Sequence, residues 1–212
     1  RDMNKNKIIL DLCGGTGAWA KPYKDAGYKI ITITLPDFDV CSFAFFDNRL
    51  WFCKPNEYGQ YKEACKIKDI YGVLAAPPCT MFSFARTNAK APRDLREGME
   101  CVRACLNIIW HIKELQQTTG KKTLPLKFWA LENPYHGFLP QFLGRPAFTF
   151  DPYEFGDGYK KRTALWGDFN EPRKLKNISE VPRSSWASKK FDRLKSHEIH
   201  GEFFGKFDRT TR

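Results

Sequence analysis

Short apolar blocks punctuated by glycine and proline dominate the first two thirds of the chain. Lys7 to Leu12 is one such block; it runs into Cys13-Gly14-Gly15-Thr16-Gly17, and a helical stretch follows to about Ala26. Gly27 stops that stretch, the β-branched run Tyr28 to Leu35 predicts a second strand, and Pro36 ends it. Residues 37 to 69 are polar and aromatic without a clear period, which predicts a short helix and loops. Ile70 to Ala75 reads as a buried strand that stops at Pro77-Pro78 and delivers Cys79 to the loop beyond its carboxyl end. Residues 84 to 94 predict a mobile basic loop. From Asp94 to about Gln117, Leu95, Met99, Val102, Leu106 and Ile109 recur at helical spacing, with Asp94 as N-cap. Leu126 to Leu131 predicts a strand ending at Glu132-Asn133-Pro134, and Phe148 to Phe150 and Thr163 to Trp166 predict two more. This strand–helix alternation implies an α/β fold with a doubly wound sheet. It fills one domain over 1–170, followed by a short, irregular basic segment over 171–212.

Composition narrows the class. The 212 residues are 42% hydrophobic and 15% aromatic, enough for one well-filled core. No run approaches the ~20 apolar residues of a membrane span, and no signal segment opens the chain, so no membrane partner is expected. Seven cysteines, odd in number and without Cys-x-x-Cys spacing, indicate neither a disulfide framework nor a metal site and favour a reducing, cytoplasmic setting. Net charge is +11, from 35 basic and 24 acidic residues. That excess points to a polyanionic partner, nucleic acid first. Basic residues interleave with Tyr159, Trp166, Trp186, Phe191, Phe203, Phe204 and Phe207 in the last part of the chain.

Candidate chemistry lies in three strand-end loops, since ligands of open α/β sheets bind beyond the carboxyl ends of strands. The first is Asp11-Leu12-Cys13-Gly14-Gly15-Thr16-Gly17-Ala18-Trp19. Glycines allow close backbone approach to a ligand, and a following helix would present free N–H groups. Ala20 stands where the dinucleotide fingerprint needs glycine, and no Gly-Lys-Ser/Thr of a P-loop follows. An acidic strand end before such a turn suits S-adenosylmethionine, and a tight βα turn would explain the glycines equally. The second loop carries Cys79, a candidate nucleophile stiffened by two prolines, or else a small buried hydrophobe. The third ends in Glu132-Asn133-Pro134. A carboxyl buried at a strand end has a raised pKa useful for donating a proton, while Asn-Pro could simply cap a turn.

Together these loops make the chain resemble the cytosine-5 DNA methyltransferases, particularly compact bacteriophage versions. The resemblance rests on loop 11–19, Pro77-Pro78-Cys79 with Phe82-Ser83, Glu132-Asn133 and Lys160-Lys161-Arg162, and spans residues 8 to about 167. It implies a Rossmann-like S-adenosylmethionine-dependent methyltransferase sheet. Cys79 would add to carbon-6 of cytosine, which makes carbon-5 nucleophilic toward the sulfonium methyl. Glu132 would hydrogen-bond ring N3 and the exocyclic amine and donate a proton. Asn133 would fix the cysteine loop, and Arg162 would bind O2 and orient Glu132. Asp11, with Cys13, Gly14, Gly15, Thr16, Gly17 and nearby Trp19, would hold the methionine end of the cofactor. Asp39 with Val40 is the candidate for adenine, and Pro77 completes the cofactor side. DNA is the implied partner, with the base flipped out of the duplex and loop 84–94 closing over it. A phage-encoded chain would work in the bacterial host cytoplasm.

The chain departs from that pattern at several points. Thr80 stands where glutamine usually follows the nucleophile, and Cys13 replaces the phenylalanine that stacks on adenine. The ribose-binding acid falls near Leu35, leaving Asp37 or Asp39 to substitute, and Gly158-Tyr159-Lys160-Lys161-Arg162 keeps only the last arginine of Gln-x-Arg-x-Arg. The family's closing motif is absent and both ends are abrupt, as in a piece of a longer chain. About 45 residues after Trp166 leave room for a hairpin or a few basic helices rather than a full reader, so little sequence discrimination is expected. Alternatives are a transferase acting on RNA or free nucleotide, and an inactive relative that binds DNA or a partner.

Overall fold

The computed structural model describes residues 2–85, 90–118, 126–155 and 160–174. In chain order its strands are β1 (Ile8–Leu12), β2 (Lys29–Ile33), β3 (Phe43–Phe46), β4 (Arg49–Phe52), β5 (Lys62–Lys66), β6 (Ile70–Ala75), β7 (Phe128–Pro134), β8 (Phe148–Phe150) and β9 (Thr163–Asp168). Its helices are α1 (Lys21–Asp25), α2 (Leu95–Thr118) and α3 (Leu139–Leu143). The main sheet has the order β2-β1-β6-β7-β9-β8. β2, β1, β6 and β7 are mutually parallel, and β9 runs antiparallel between β7 and β8. From β1 the chain moves outward to β2 and then returns to β6 on the other side of β1. That reversal opens a crevice at the carboxyl ends of β1 and β6.

Both faces of the sheet are covered. On one face, Leu10, Leu12, Val73 and Ala75 pack against Val102, Cys105, Ile109 and Ile112 of α2. On the other, Ile9, Leu74, Phe128 and Ala130 pack against Trp19, Ala20 and Tyr23. Tyr23 stacks on Phe128 with centroids 5.3 Å apart. Gly72 lets that ring lie flat on β6, because a Cβ there would collide with Phe128. β1 is buried along its whole length, as a central parallel strand must be. Each large apolar side chain so buried contributes about 1.5–3 kcal/mol.

α2 begins as expected: the Asp94 carboxylate accepts from Arg96 N and Glu97 N at 2.9 and 3.0 Å. Near its far end, buried Gln116 donates to Ile67 O and Ile70 O and accepts from Leu126 N, which fixes where β6 starts. Among the described residues no helix is long and apolar enough to cross a membrane.

Three expectations are corrected. Residues 37–69 are not a short helix with loops but carry the antiparallel sheet β3-β4-β5, which packs Leu50, Phe52 and Cys65 into the α2-side core. Asp47 and Asn48, at φ 51° and 56°, make the two-residue turn that closes its first hairpin. The helix expected directly after the glycine turn is reduced to five residues starting at Lys21. Gly15 and Gly17 hold φ of 57° and 75°, outside the helical region, so the chain turns twice before α1 can start. β7 continues to Pro134, because antiparallel pairing with β9 extends the strand through Glu132 and Asn133. The expected segment 171–212 lies, beyond residue 174, outside the described residues, as do 86–89 of the basic loop and Gly158-Tyr159.

Candidate active site

The three loops meet at the carboxyl edge of the sheet. Beyond β6, Ala76 N still donates to Leu12 O at 2.9 Å, so β6 and β1 stay together up to the prolines. Pro77 is buried, Pro78 exposed and Cys79 half-buried. The carbonyl of Cys79 accepts from Phe82 N and Ser83 N, both at 2.9 Å, which winds the cysteine into a tight turn. Phe82 is fully buried and anchors that turn in the core. Asn133 Nδ2 donates to Pro77 O at 3.0 Å, joining β7 to the cysteine loop. Phe138 N donates to Phe82 O at 3.0 Å from the segment after β7.

Arg93 has a place that charge alone did not suggest. Read as part of a basic DNA-facing loop, it instead donates to Met81 O and Ser83 O and lies over the Phe138 ring at 4.9 Å. It staples the cysteine loop from the far side. Only its proximity to Asp94 at the start of α2 hinted at such a fixed position.

Electrostatics tie the thiol to the carboxyl. Burial raises the pKa of Cys79, the Glu132 carboxylate raises it further, and Lys161 pulls it back. Burial likewise raises Glu132, with Lys161 again opposing. Cys79, Glu132, Asn133 and Pro77 are therefore neighbours. Arg162 is not engaged with them. It donates to Thr149 Oγ1 at 2.7 Å and Asp151 Oδ2 at 3.3 Å, with Glu154 at 3.8 Å. Together with Tyr135, Arg145 and Lys174 it lines a cavity of about 440 Å³. The expected contact with Glu132 is absent because strand alternation turns Arg162 toward Thr149.

The glycine-turn side is built differently. Asp11 is 0% exposed, and neither carboxylate oxygen has a hydrogen-bond partner among the described residues. Burial pushes its pKa up to about 7. Gly14 must be glycine, since a Cβ there would run into the Asp11 carboxyl. Cys13, at φ 59°, packs against the core cluster that holds Cys105 of α2, and Cys13 N donates to Ile33 O at 2.7 Å. Gly15 and Thr16 are exposed at the turn, Gly17 N closes it onto Gly14 O, and Trp19 is buried in the core beneath. Leu35 is 64% exposed, and Asp37 is exposed beside it. Asp39 accepts from Cys41 N at 2.9 Å and Ser42 Oγ at 3.2 Å, so its carboxylate braces its own loop, with Val40 in the core. The Cys41 and Cys101 sulfurs lie 3.7 Å apart behind that loop. Among the described residues no three His, Cys, Asp or Glu side chains converge as metal ligands would.

No family model matches the chain. Over 98 residues it is 28% identical to the Type II methyltransferase M.AplI of Arthrospira platensis. The match covers 46% of this chain and 27% of that protein, so it spans about a quarter of the relative's length.

Proposed function

We propose that the chain is an S-adenosylmethionine-dependent methyltransferase that modifies carbon-5 of cytosine in DNA through a covalent Cys79 adduct. The observation that carries this reading is the pairing of a thiol and a carboxyl, Cys79 and Glu132, at the ends of adjacent parallel strands beside the buried Asp11. Similarity to a Type II methyltransferase supports methyl transfer, and a net charge of +11 supports a polyanionic substrate.

The glycine turn fits the cofactor. Its methionine end carries an ammonium, and a buried carboxyl without a partner is stabilised by an adjacent cation. Gly14, Gly15 and Gly17 leave backbone exposed beside it. When bound, S-adenosylmethionine supplies an electrophilic methyl group. Asp11 would hold the amino group, and the loop braced by Asp39 with Val40 would take the adenine side.

Toward the base, Cys79 would attack carbon-6 as the thiolate, splitting one hard substitution into easier steps. Glu132, its pKa raised by burial, would keep a proton to give to N3 as the ring loses aromaticity. Asn133 would hold the Pro77 carbonyl and with it the attacking sulfur. Base flipping follows, because carbon-6 is inaccessible within the stack. Arg162 would reach cytosine O2 only by leaving Asp151 and Thr149.

The test is transfer of labelled methyl from S-adenosylmethionine to duplex DNA, RNA and deoxycytidine monophosphate, with Cys79→Ala as control. Transfer to duplex DNA that Cys79→Ala abolishes is expected. A trapped adduct with 5-fluorocytosine DNA that survives Cys79→Ala would refute the nucleophile, and no transfer to any substrate would refute the enzyme. Bisulfite sequencing of DNA from expressing cells would then identify the target.

A further inference from the structure

We propose that Lys161, and not Arg162, is the positioning residue that balances the charge of the Cys79–Glu132 pair. This rests on the reading above for what the pair does, but its test requires no methyl transfer.

The register between β7 and β9 carries the argument. Glu132 faces Leu165, Asn133 faces Ala164 and Pro134 faces Thr163. The ladder continues one step further, where Tyr135 N donates to Arg162 O at 2.9 Å. Side chains alternate along a strand, and directly opposed residues share a side. Lys161 therefore falls on the side of Thr163, Leu165 and Glu132, and Arg162 on the side of Ala164 and Asn133. The bonds of Arg162 agree, since Thr149, its partner, faces Ala164 across β8 and β9. Lys161 is exposed and makes no ion pair among the described residues.

The chemistry requires a cation in that place. Among the described residues, the charged side chains that act on Cys79 are Glu132 from β7 and Lys161 from the start of β9, and Lys161 acts on Glu132 in turn. Ionised Glu132 opposes ionisation of Cys79, so the pair resists carrying two negative charges at once. It holds one negative charge either as carboxylate with thiol or as thiolate with carboxylic acid. Covalent attack with proton donation needs the second arrangement. One ammonium near both groups offsets that single charge wherever it sits, so the proton can stay on Glu132 while sulfur is ionised.

The experiment measures alkylation of Cys79 by iodoacetamide against pH in the full chain, resolved by peptide mass spectrometry. In Lys161→Ala the pH midpoint should rise by about one unit, an about tenfold loss of thiolate below the midpoint. Lys161→Gln, which keeps most of the side-chain stem, should show the same rise, whereas Lys161→Arg should restore the wild-type midpoint. Arg162→Ala should leave the midpoint in place. Buried Cys105 should stay unreactive in every variant, which reports an intact fold. An unmoved midpoint in both Lys161→Ala and Lys161→Gln, or an equal rise in Arg162→Ala, overturns the assignment. A shifted midpoint in a protein that transfers no methyl group would leave Lys161 standing and remove the proposed function instead.

Discussion

Around Cys79 the neighbouring segments are fastened to one another, whereas one strand away Asp11 is buried with no partner for its charge. The Pro77 carbonyl takes a hydrogen bond from Asn133, Arg93 grips two carbonyls of the cysteine loop, and Phe82 plugs it into the core. On the glycine-turn side, Gly14 gives up its Cβ to make room for a carboxyl that nothing in the described protein pairs. The proposed nucleophile is thus preorganised by the protein's own bonds, a condition for placing a reacting atom within a fraction of an ångström. The turn is organised around a group that a bound cation would complete.

The largest effect that would test this contrast comes from Glu132→Gln. It should lower methyl transfer by about 10²–10⁴-fold, the usual range for losing a positioned acid. The same change removes the carboxylate that raises the Cys79 pKa, so the midpoint of Cys79 alkylation should fall. A more reactive thiol in a poorer enzyme separates proton donation from nucleophile activation; a fall in rate together with a rise in the midpoint would merge them.

Asp11→Asn probes the other half through stability. The folded-state pKa of about 7 lies above the ordinary 3.8, so the unfolded chain releases its proton first as pH rises. Ionisation therefore favours unfolding, and the folded state loses stability between about pH 4 and pH 7, on the order of 4 kcal/mol in all. Asp11→Asn should abolish that loss, melting above wild type at alkaline pH but not in acid, while cofactor binding measured by calorimetry disappears. Parallel melting curves for the two proteins at both pH extremes would mean that the carboxyl is paired after all.

Smaller effects sharpen the comparison. Asn133→Ala leaves the Pro77 carbonyl without its donor and should cost about 1–3 kcal/mol in urea unfolding. Its methyl transfer should fall while the near-ultraviolet spectrum, which reports tertiary packing, stays unchanged. Asp39→Ala removes two hydrogen bonds from a half-exposed loop and should cost only about 1 kcal/mol. Cofactor affinity should then weaken by less than about tenfold if Asp39 serves through its loop, and by more if its carboxylate meets the ligand directly.

Much of the scaffold was legible from local pattern. β1, β6 and β8 follow from apolar runs, and α2 with its Asp94 cap follows from helical spacing and a capping side chain. The small antiparallel sheet was missed although its signal was present: Asp47-Asn48 between alternating aromatics is a hairpin turn, and polar composition masked it. The helix after the glycine turn was overestimated because the left-handed glycines that suit a ligand also interrupt helical φ. Arg93 was misread because a basic residue near a loop looks solvent-facing until its acceptors are known.

By itself, the sequence determined which residues could do chemistry: a cysteine after two prolines, an acid in Glu-Asn, and an acid before a glycine turn. These depend on residue type and short-range spacing, which the chain carries with it. Tertiary structure alone decided which of them meet. The antiparallel pairing of β7 with β9 brings Lys161 to the Glu132 side and turns Arg162 toward Thr149 and Asp151. It rests on hydrogen bonds between segments about thirty residues apart, and a one-residue change of register would exchange the two cations.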